Sequence, residues 1–219
     1  MAPTLSSMIV AIDGPAASGK STVARLLGER LGVPLLNTGA MYRAVGLACL
    51  DAGLDLEDAA ACVARANSLD LDVTSVGVVT VDGQPVAVER EEAGSAASRV
   101  AVHPGVRARL VALQQEFGRR YGCVAEGRDT TTVVFPDADV LVFLAASPRI
   151  RAERRARQEG APERAEEYAR EIAARDERDA SRAVAPLRPA PGALNLSSDE
   201  ATPEQLVERI AQAVEEACP

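Results

Sequence analysis

The chain has no tryptophan and only three phenylalanines and three tyrosines among 219 residues. So thin an aromatic content argues against a stacking platform for single-stranded nucleic acid. It leaves a core to be built from Ala, Val and Leu, as suits helices packed on a parallel sheet. Histidine occurs once, at His103, directly before Pro104. Ser-His-Asp or Cys-His catalysis would have to run through that one ring, and a proline in a first helical turn marks the position as a helix entrance instead. The four cysteines, Cys49, Cys62, Cys123 and Cys218, lie far apart with no CxxC spacing. Zinc sites of the usual kinds are thereby excluded, and reduced, buried thiols are expected. No apolar stretch reaches a membrane-spanning length without a charge, the run Met8 to Ile12 is too short for a signal core, and Met1 to Ser7 carries no basic residue. The expectation is a cytoplasmic protein with no membrane partner. A net charge of −8 argues equally against a nucleic-acid partner. Any anion site must concentrate its own positive charge.

Lysine is the scarcest functional group. Of 24 basic residues, 23 are arginine, and the single lysine lies in Gly14-Pro15-Ala16-Ala17-Ser18-Gly19-Lys20-Ser21. This stretch satisfies GxxxxGK[ST] in full, after an apolar run and at the start of a helical pattern, where the motif has mechanical meaning. Glycines let the backbone curl so that N–H groups and a helix N-terminus face a β-phosphate. Lys20 would bridge β- and γ-phosphates, Ser21 would ligate Mg²⁺, and Thr22 completes the ATP-binding stretch. Chance alone would produce such a match in on the order of one chain in a hundred of this length.

The apolar runs at 8–14, 122–127 and 139–146 are continuous rather than alternating, as strands covered on both faces should be, and PLLNTG and ALNLSS complete a set of five. Helical patterns follow the phosphate loop and recur at Met41 to Ala52, Pro104 to Tyr121, Pro148 to Gln158 and Pro203 to Ala217. Between about Asp70 and Glu89 the chain turns valine-rich, with Asp82-Gly83 as a hairpin signal. A small antiparallel insertion projecting from the main sheet is expected there. One compact unit fits the length.

The loop alone leaves the phosphoryl acceptor open. A guanine-reading [NT]KxD segment needs a second lysine, which the chain lacks, and the strand-like run DVLVFLAA ends in alanines where a transport or motor ATPase would place an acidic pair. A kinase of a small acceptor leads. The blocks IDGPAASGKST, NTGAMYR, ASRVA followed by VR, EGRD, TVVFPDADV and RDASRAVAPL, in this order from about Met8 to Leu187, resemble the bacterial cytidylate kinase family.

That resemblance implies an α/β, three-layer P-loop NTPase fold with a five-stranded parallel sheet, a small antiparallel insertion in the monophosphate-binding domain, and a helical lid. Residues 1–37, 106–150 and 183–219 would form the core, 38–105 the CMP-binding domain and 151–182 the lid. It implies transfer of the ATP γ-phosphoryl group to CMP or dCMP, with Mg²⁺, by a monomer. Thr38 and Arg43 would meet the CMP phosphate, as would Arg128. Ser98, Arg107 and Asp129 would read cytosine, since a carboxylate paired with a guanidinium separates cytosine from uracil by hydrogen-bond polarity. Asp179 and Arg182 would hold ribose and phosphate. The lid is rich in arginine, at Arg151, Arg154, Arg155 and Arg157 and again at Arg175, Arg178 and Arg182. Closing arginines stabilise the charge on a transferring phosphoryl group. Arg155 and Arg178 are taken for that contact, beside Lys20 and Arg128, and the other lid arginines for surface, paired as Glu153 with Arg157 and Glu171 with Arg175.

Two segments depart from the family. After GRD an apolar residue, glycine and threonine are usual, where this chain has Thr130, Thr131 and Thr132. A requirement for positive φ at the glycine would reshape the loop behind Asp129 and shift base preference. LNLSSDEAT also departs from the usual aspartate and threonine pattern and leaves donor choice between ATP and GTP open. The rival readings are a UMP or AMP kinase, and a slow nucleotide-binding switch that signals through its insertion. If lysine survives at position 20 because a compact ammonium fits where a forked guanidinium does not, Lys20→Arg abolishes turnover in a coupled kinase assay. Undiminished turnover would overturn that reading.

Overall fold

A computed structural model describes residues 8–88, 90, 92–182 and 184–217. The leader Met1 to Ser7 and Cys218 lie outside the described residues. In the first half, β1 (Ile9–Asp13) leads through the glycine-rich loop into α1 (Lys20–Leu31), then β2 (Leu35–Asn37), α2 (Thr38–Asp51) and α3 (Ala59–Ser68). The valine-rich segment forms β3 (Leu71–Val73), β4 (Val79–Val81) and β5 (Gln84–Pro85), and α4 (Ala93–Val100) follows. The second half runs α5 (Pro104–Tyr121), β6 (Cys123–Gly127), β7 (Val140–Ala145), α6 (Pro148–Gln158), α7 (Ala165–Ser181), β8 (Leu194–Ser197) and α8 (Pro203–Ala217).

All five predicted core strands join one parallel sheet in the order β2-β6-β1-β7-β8. Side chains leave a strand alternately to its two faces, and here both faces are covered. Val10, Ile12, Val124, Val142, Leu144 and Leu196 pack with α1 and α8 on one side. Ala11, Leu36, Cys123 and Ala125 pack with α2 and α5 on the other. This double burial is why the strands read as unbroken apolar runs. With so few aromatics, the layers close by near-contact of small residues. A Cβ on Gly46 of α2 would meet Ala96 of α4 at 2.8 Å.

The helix ends follow local rules. Gly19 and Gly32 flank α1 in left-handed conformations, and the Asn37 side chain caps α2 at Ala40 N, starting that helix three residues before the expected Met41. Pro104 opens α5, and His103 before it is buried, with Nε2 2.7 Å from Leu56 O, so the lone histidine is structural. The periodic reading missed α3, although the Asp58 side chain caps it by accepting from Ala61 N. Cys49, Cys62 and Cys123 are free and buried.

The insertion is antiparallel, and Asp82 and Gly83 take the left-handed conformations of a tight hairpin turn. It does not project, however. Leu71, Val73 and Val79 are buried in the same core as α2 and α5, and the turn at Gly77 rests on the backbone of the edge strand β2. A Cβ on Gly77, at φ +84°, would fall inside the Leu35 carbonyl oxygen. Burial of the inward-facing valines outweighs the solvation of a free hairpin. Gly77→Ala therefore lowers unfolding free energy by roughly 1–3 kcal/mol, read by urea denaturation. An unchanged midpoint would show the turn undocked.

Candidate active site

The carboxyl ends of the parallel strands carry the charged residues. Beyond β1 the chain curls through Gly14–Ser21, with Ala17 and Gly19 at positive φ. Gly14 has no room for a side chain, because a Cβ would collide with Leu144 O of β7. The loop thus delivers Lys20 to the first turn of α1, where helix N–H groups are unpaired and favour an anion. Lys20 is 7% exposed and its Nζ donates to Pro15 O at 3.2 Å. Ser21 Oγ donates to Glu126 Oε1 at 2.8 Å, joining the loop to the end of β6.

Burial first, then the neighbouring Arg128, pushes the Lys20 ammonium down to about 7, against the pull of Glu126. Burial beside Arg128 likewise lowers Arg175 to about 10. Too much positive charge shares too little solvent here. An anion entering this cleft relieves that repulsion.

A second group of side chains gathers around Asp179 of α7. The Asp179 carboxylate, 1% exposed, accepts from Arg128 Nε at 2.9 Å and pairs with Arg182, while Arg175 Nε stands 3.9 Å away. Arg107 and Asp129 form a buried ion pair, with the Arg107 guanidinium 5.7 Å from the centre of the Tyr42 ring. Burial raises the Asp129 carboxyl above its ordinary range, and Arg107 opposes the rise. Ser98 Oγ, Tyr42 OH and Arg182 Nε are buried with no hydrogen-bond partner among the described residues. Buried polar groups are seldom left unpaired in a finished structure. Tyr42 and Arg182 both feel the charges of Arg107 and Asp129, so these unpaired groups stand where a polar ligand could meet them.

Other predicted residues are placed less simply. Thr38 Oγ1 spends its proton on Glu126 O at 2.8 Å, so toward a ligand it can only accept. Arg43 is half-buried and reaches Gly39 O and Asn37 Oδ1 on its own helix.

The two lid arginines chosen from sequence are not brought to the loop. Arg155 pairs with Glu159 at the surface, and Arg178 is exposed. Three arginines read as surface point inward instead. Arg151 pairs with Asp176 and donates to Ala16 O, Arg154 donates to Ser18 O and to Ser198, and Arg175 flanks Asp179. Helical spacing held the signal for α7. Arg175, four residues before Asp179, lies about 40° from it around the helix axis, whereas Arg178, its immediate neighbour, lies about 100° away. Glu153 does pair with Arg157, but Arg175 turns to Asp179 rather than to Glu171.

Sequence reasoning also gave no role to Glu126, Tyr42 and Asp13, although they stand inside the blocks EGRD, NTGAMYR and IDGPAASGKST. Asp13 is fully buried at the end of β1. Thr131 is not in the left-handed region. The segment Thr130–Val134 forms a widened helical turn instead.

A glycine-rich phosphate loop at the carboxyl end of a parallel strand, with one lysine electrostatically coupled to Arg128 and Arg175, defines a P-loop phosphotransferase of the α/β class. The cytidylate kinase model matches residues 10–216, and the chain belongs to the cytidylate kinase family. It is 44% identical over 215 residues to a cytidylate kinase of Caulobacter sp. (strain K31), covering 96% of this chain and 95% of that one. It is also 44% identical over 215 residues to one of Vibrio cholerae serotype O1, covering 94% and 96%. A crystal structure of an uncharacterized protein from Eubacterium ventriosum shares the fold at a TM-score of 0.50 and 12% identity, over 95% of this chain and 98% of that one.

The depressed Lys20 ammonium has a measurable consequence. It loses its proton as pH rises through about 7, whereas bound phosphates would restore the charged form. ATP binding should therefore take up a proton increasingly between about pH 7 and pH 8, approaching about one per nucleotide. Calorimetry in buffers of different ionisation enthalpy reads this directly. Binding heats independent of buffer at pH 8 would contradict it.

Proposed function

We propose that this chain transfers the γ-phosphoryl group of ATP to CMP or dCMP, giving ADP and CDP or dCDP. The observation that carries the acceptor is the buried Arg107–Asp129 ion pair. A carboxylate accepts from the cytosine amino group while a guanidinium and a hydroxyl serve its ring and carbonyl acceptors. Uracil inverts two of these positions and leaves buried charge unpaired, which discriminates by roughly four decades.

In this reading Gly14 to Thr22 hold the triphosphate, with Lys20 between its β- and γ-phosphates. Arg43, Arg128 and Arg182 meet the CMP phosphate, Thr38 accepts at the edge of that pocket, and Asp179 holds the ribose while keeping Arg128 and Arg182 aimed. Arg175 replaces Arg155 and Arg178 as the lid arginine facing the transferring group. Arg151 and Arg154 tie the lid helices to the loop. The segments 1–37, 106–150 and 183–219 act as the core, 38–105 as the acceptor domain and 151–182 as the lid. The CMP phosphate is already anionic, so no strong base is needed. Transfer is in line, without a covalent enzyme intermediate, and it rests on positioning and charge.

Mg²⁺ fits the residues present. Ser21 Oγ and Glu126 Oε1, 2.8 Å apart, are hard oxygen donors next to the loop. Among the described residues no cluster of three metal-ligating side chains occurs, which matches an ion held by one or two protein oxygens together with phosphates and water. When bound it would neutralise charge on the β- and γ-phosphates. We place the enzyme in the cytoplasm as a monomer. No helix among the described residues is long and apolar enough to cross a membrane.

A coupled assay of ADP release against CMP, dCMP, UMP, AMP and water tests the reading. CMP and dCMP should turn over and the others should not. Equal rates with UMP would overturn the cytosine assignment, and release indifferent to acceptor would favour a nucleotide-hydrolysing switch. Arg175→Ala should lower kcat by about three decades, whereas Arg155→Ala and Arg178→Ala stay within about twofold of the parent. The opposite ranking would return the lid contact to the exposed arginines.

A further inference from the structure

The Asp13 carboxylate accepts four hydrogen bonds. Its Oδ1 takes Thr130 N at 2.9 Å and Thr130 Oγ1 at 2.7 Å. Its Oδ2 takes Thr131 N at 2.8 Å and Thr131 Oγ1 at 2.6 Å. Asp13 and both threonines are within 1% of full burial. Each oxygen therefore meets one backbone donor, which almost any residue supplies, and one hydroxyl, which only these threonines supply.

The two ends of this clamp differ in mobility. Asp13 ends β1, which pairs with β6 on one side and β7 on the other, so its backbone is fixed in the middle of the sheet. Thr130 and Thr131 lie past the end of β6, directly after Arg128 and Asp129. From there Arg128 reaches Asp179 of α7 and Asp129 reaches Arg107 of α5. The carboxylate thus connects the stem of the phosphate loop to the segment that carries two acceptor-side residues. Charge-assisted bonds from hydroxyls are short and directional. With four donors in place, Asp13 has no lone pair left for a metal or a substrate, which leaves it an anchoring role.

We infer that the Thr130 and Thr131 hydroxyls are positioning groups that set Arg128 and Asp129 against the phosphate loop. An apolar–glycine pair at these positions supplies only the two backbone donors, so this chain holds the segment by twice as many bonds. The inference rests on the placement of CMP at Arg128 and Asp129.

Steady-state kinetics on the doubly substituted Thr130→Val/Thr131→Val enzyme tests it, at a temperature well below that variant's measured unfolding midpoint. Valine keeps the shape and removes only the hydroxyl. Misplacement of Arg128 and Asp129 lowers kcat/KM for CMP by about tenfold to a hundredfold, while KM for ATP stays near the parent value because β1 does not move. Thr130→Ser/Thr131→Ser, which keeps both hydroxyls, restores CMP kinetics. A folded valine enzyme with parental kcat and KM for CMP overturns the inference, as does a serine enzyme as impaired as the valine one. Should the valine pair fail to fold, Thr130→Met/Thr131→Gly takes its place with the same expectation. Asp129→Asn separates the two readings. If it leaves KM for CMP unchanged, the acceptor placement has failed. If it raises KM for CMP while the valine enzyme is unaffected, only the clamp has failed.

Discussion

An excess of buried positive charge governs this molecule. Lys20, Arg128, Arg175 and Arg182 converge on a cleft where Asp179 is shared among the arginines and Glu126 is engaged by Ser21. Desolvation and mutual repulsion lower both Lys20 and Arg175, an imbalance that a bound anion would offset. The surface of the protein is acidic overall, so this attraction is confined to one place. Lys20 on the loop and the arginines around Asp179 share this charge, and in the proposed reading the same cations meet the phosphates of both nucleotides.

The rest of the architecture keeps those cations from escaping to solvent. A central strand paired on both sides fixes the loop stem, small residues let α2 and α4 approach closely, and α6 and α7 are held together by the Arg151–Asp176 pair. An arginine on a free surface would turn to water or to a nearby carboxylate, as Arg155 does with Glu159. Where the backbone is immobilised by packing, a guanidinium can be made to face another guanidinium.

Much of this was legible in the residues. Continuous apolar runs announced strands covered on both faces, Asp82-Gly83 announced the hairpin, and Gly14 to Ser21 announced the loop because each glycine there has a steric reason. What escaped were features that need a second element to have meaning. Asp13 and Glu126 are unremarkable until the parallel register sets Asp13 beside Gly127 and carries Glu126 to Ser21. The lid arginines were misassigned because Arg175, Arg178 and Arg182 all recur at helical spacing, so spacing alone does not choose among them. Only the phasing with Asp179 separates Arg175 from Arg178. The docking of the insertion depended on a glycine whose value lies in the missing Cβ, which no hydropathy pattern records.

The turn that lays Gly77 on β2 has a colloidal consequence as well. An outer strand of an open sheet offers unpaired backbone groups to any other strand, including those of another copy of the same chain. Here the turn between β3 and β4 rests on that strand, so the valine-rich insertion also shields a sticky edge. Trimming the hairpin to alter substrate choice would therefore expose β2, and the first symptom would be aggregation during expression rather than a change in turnover.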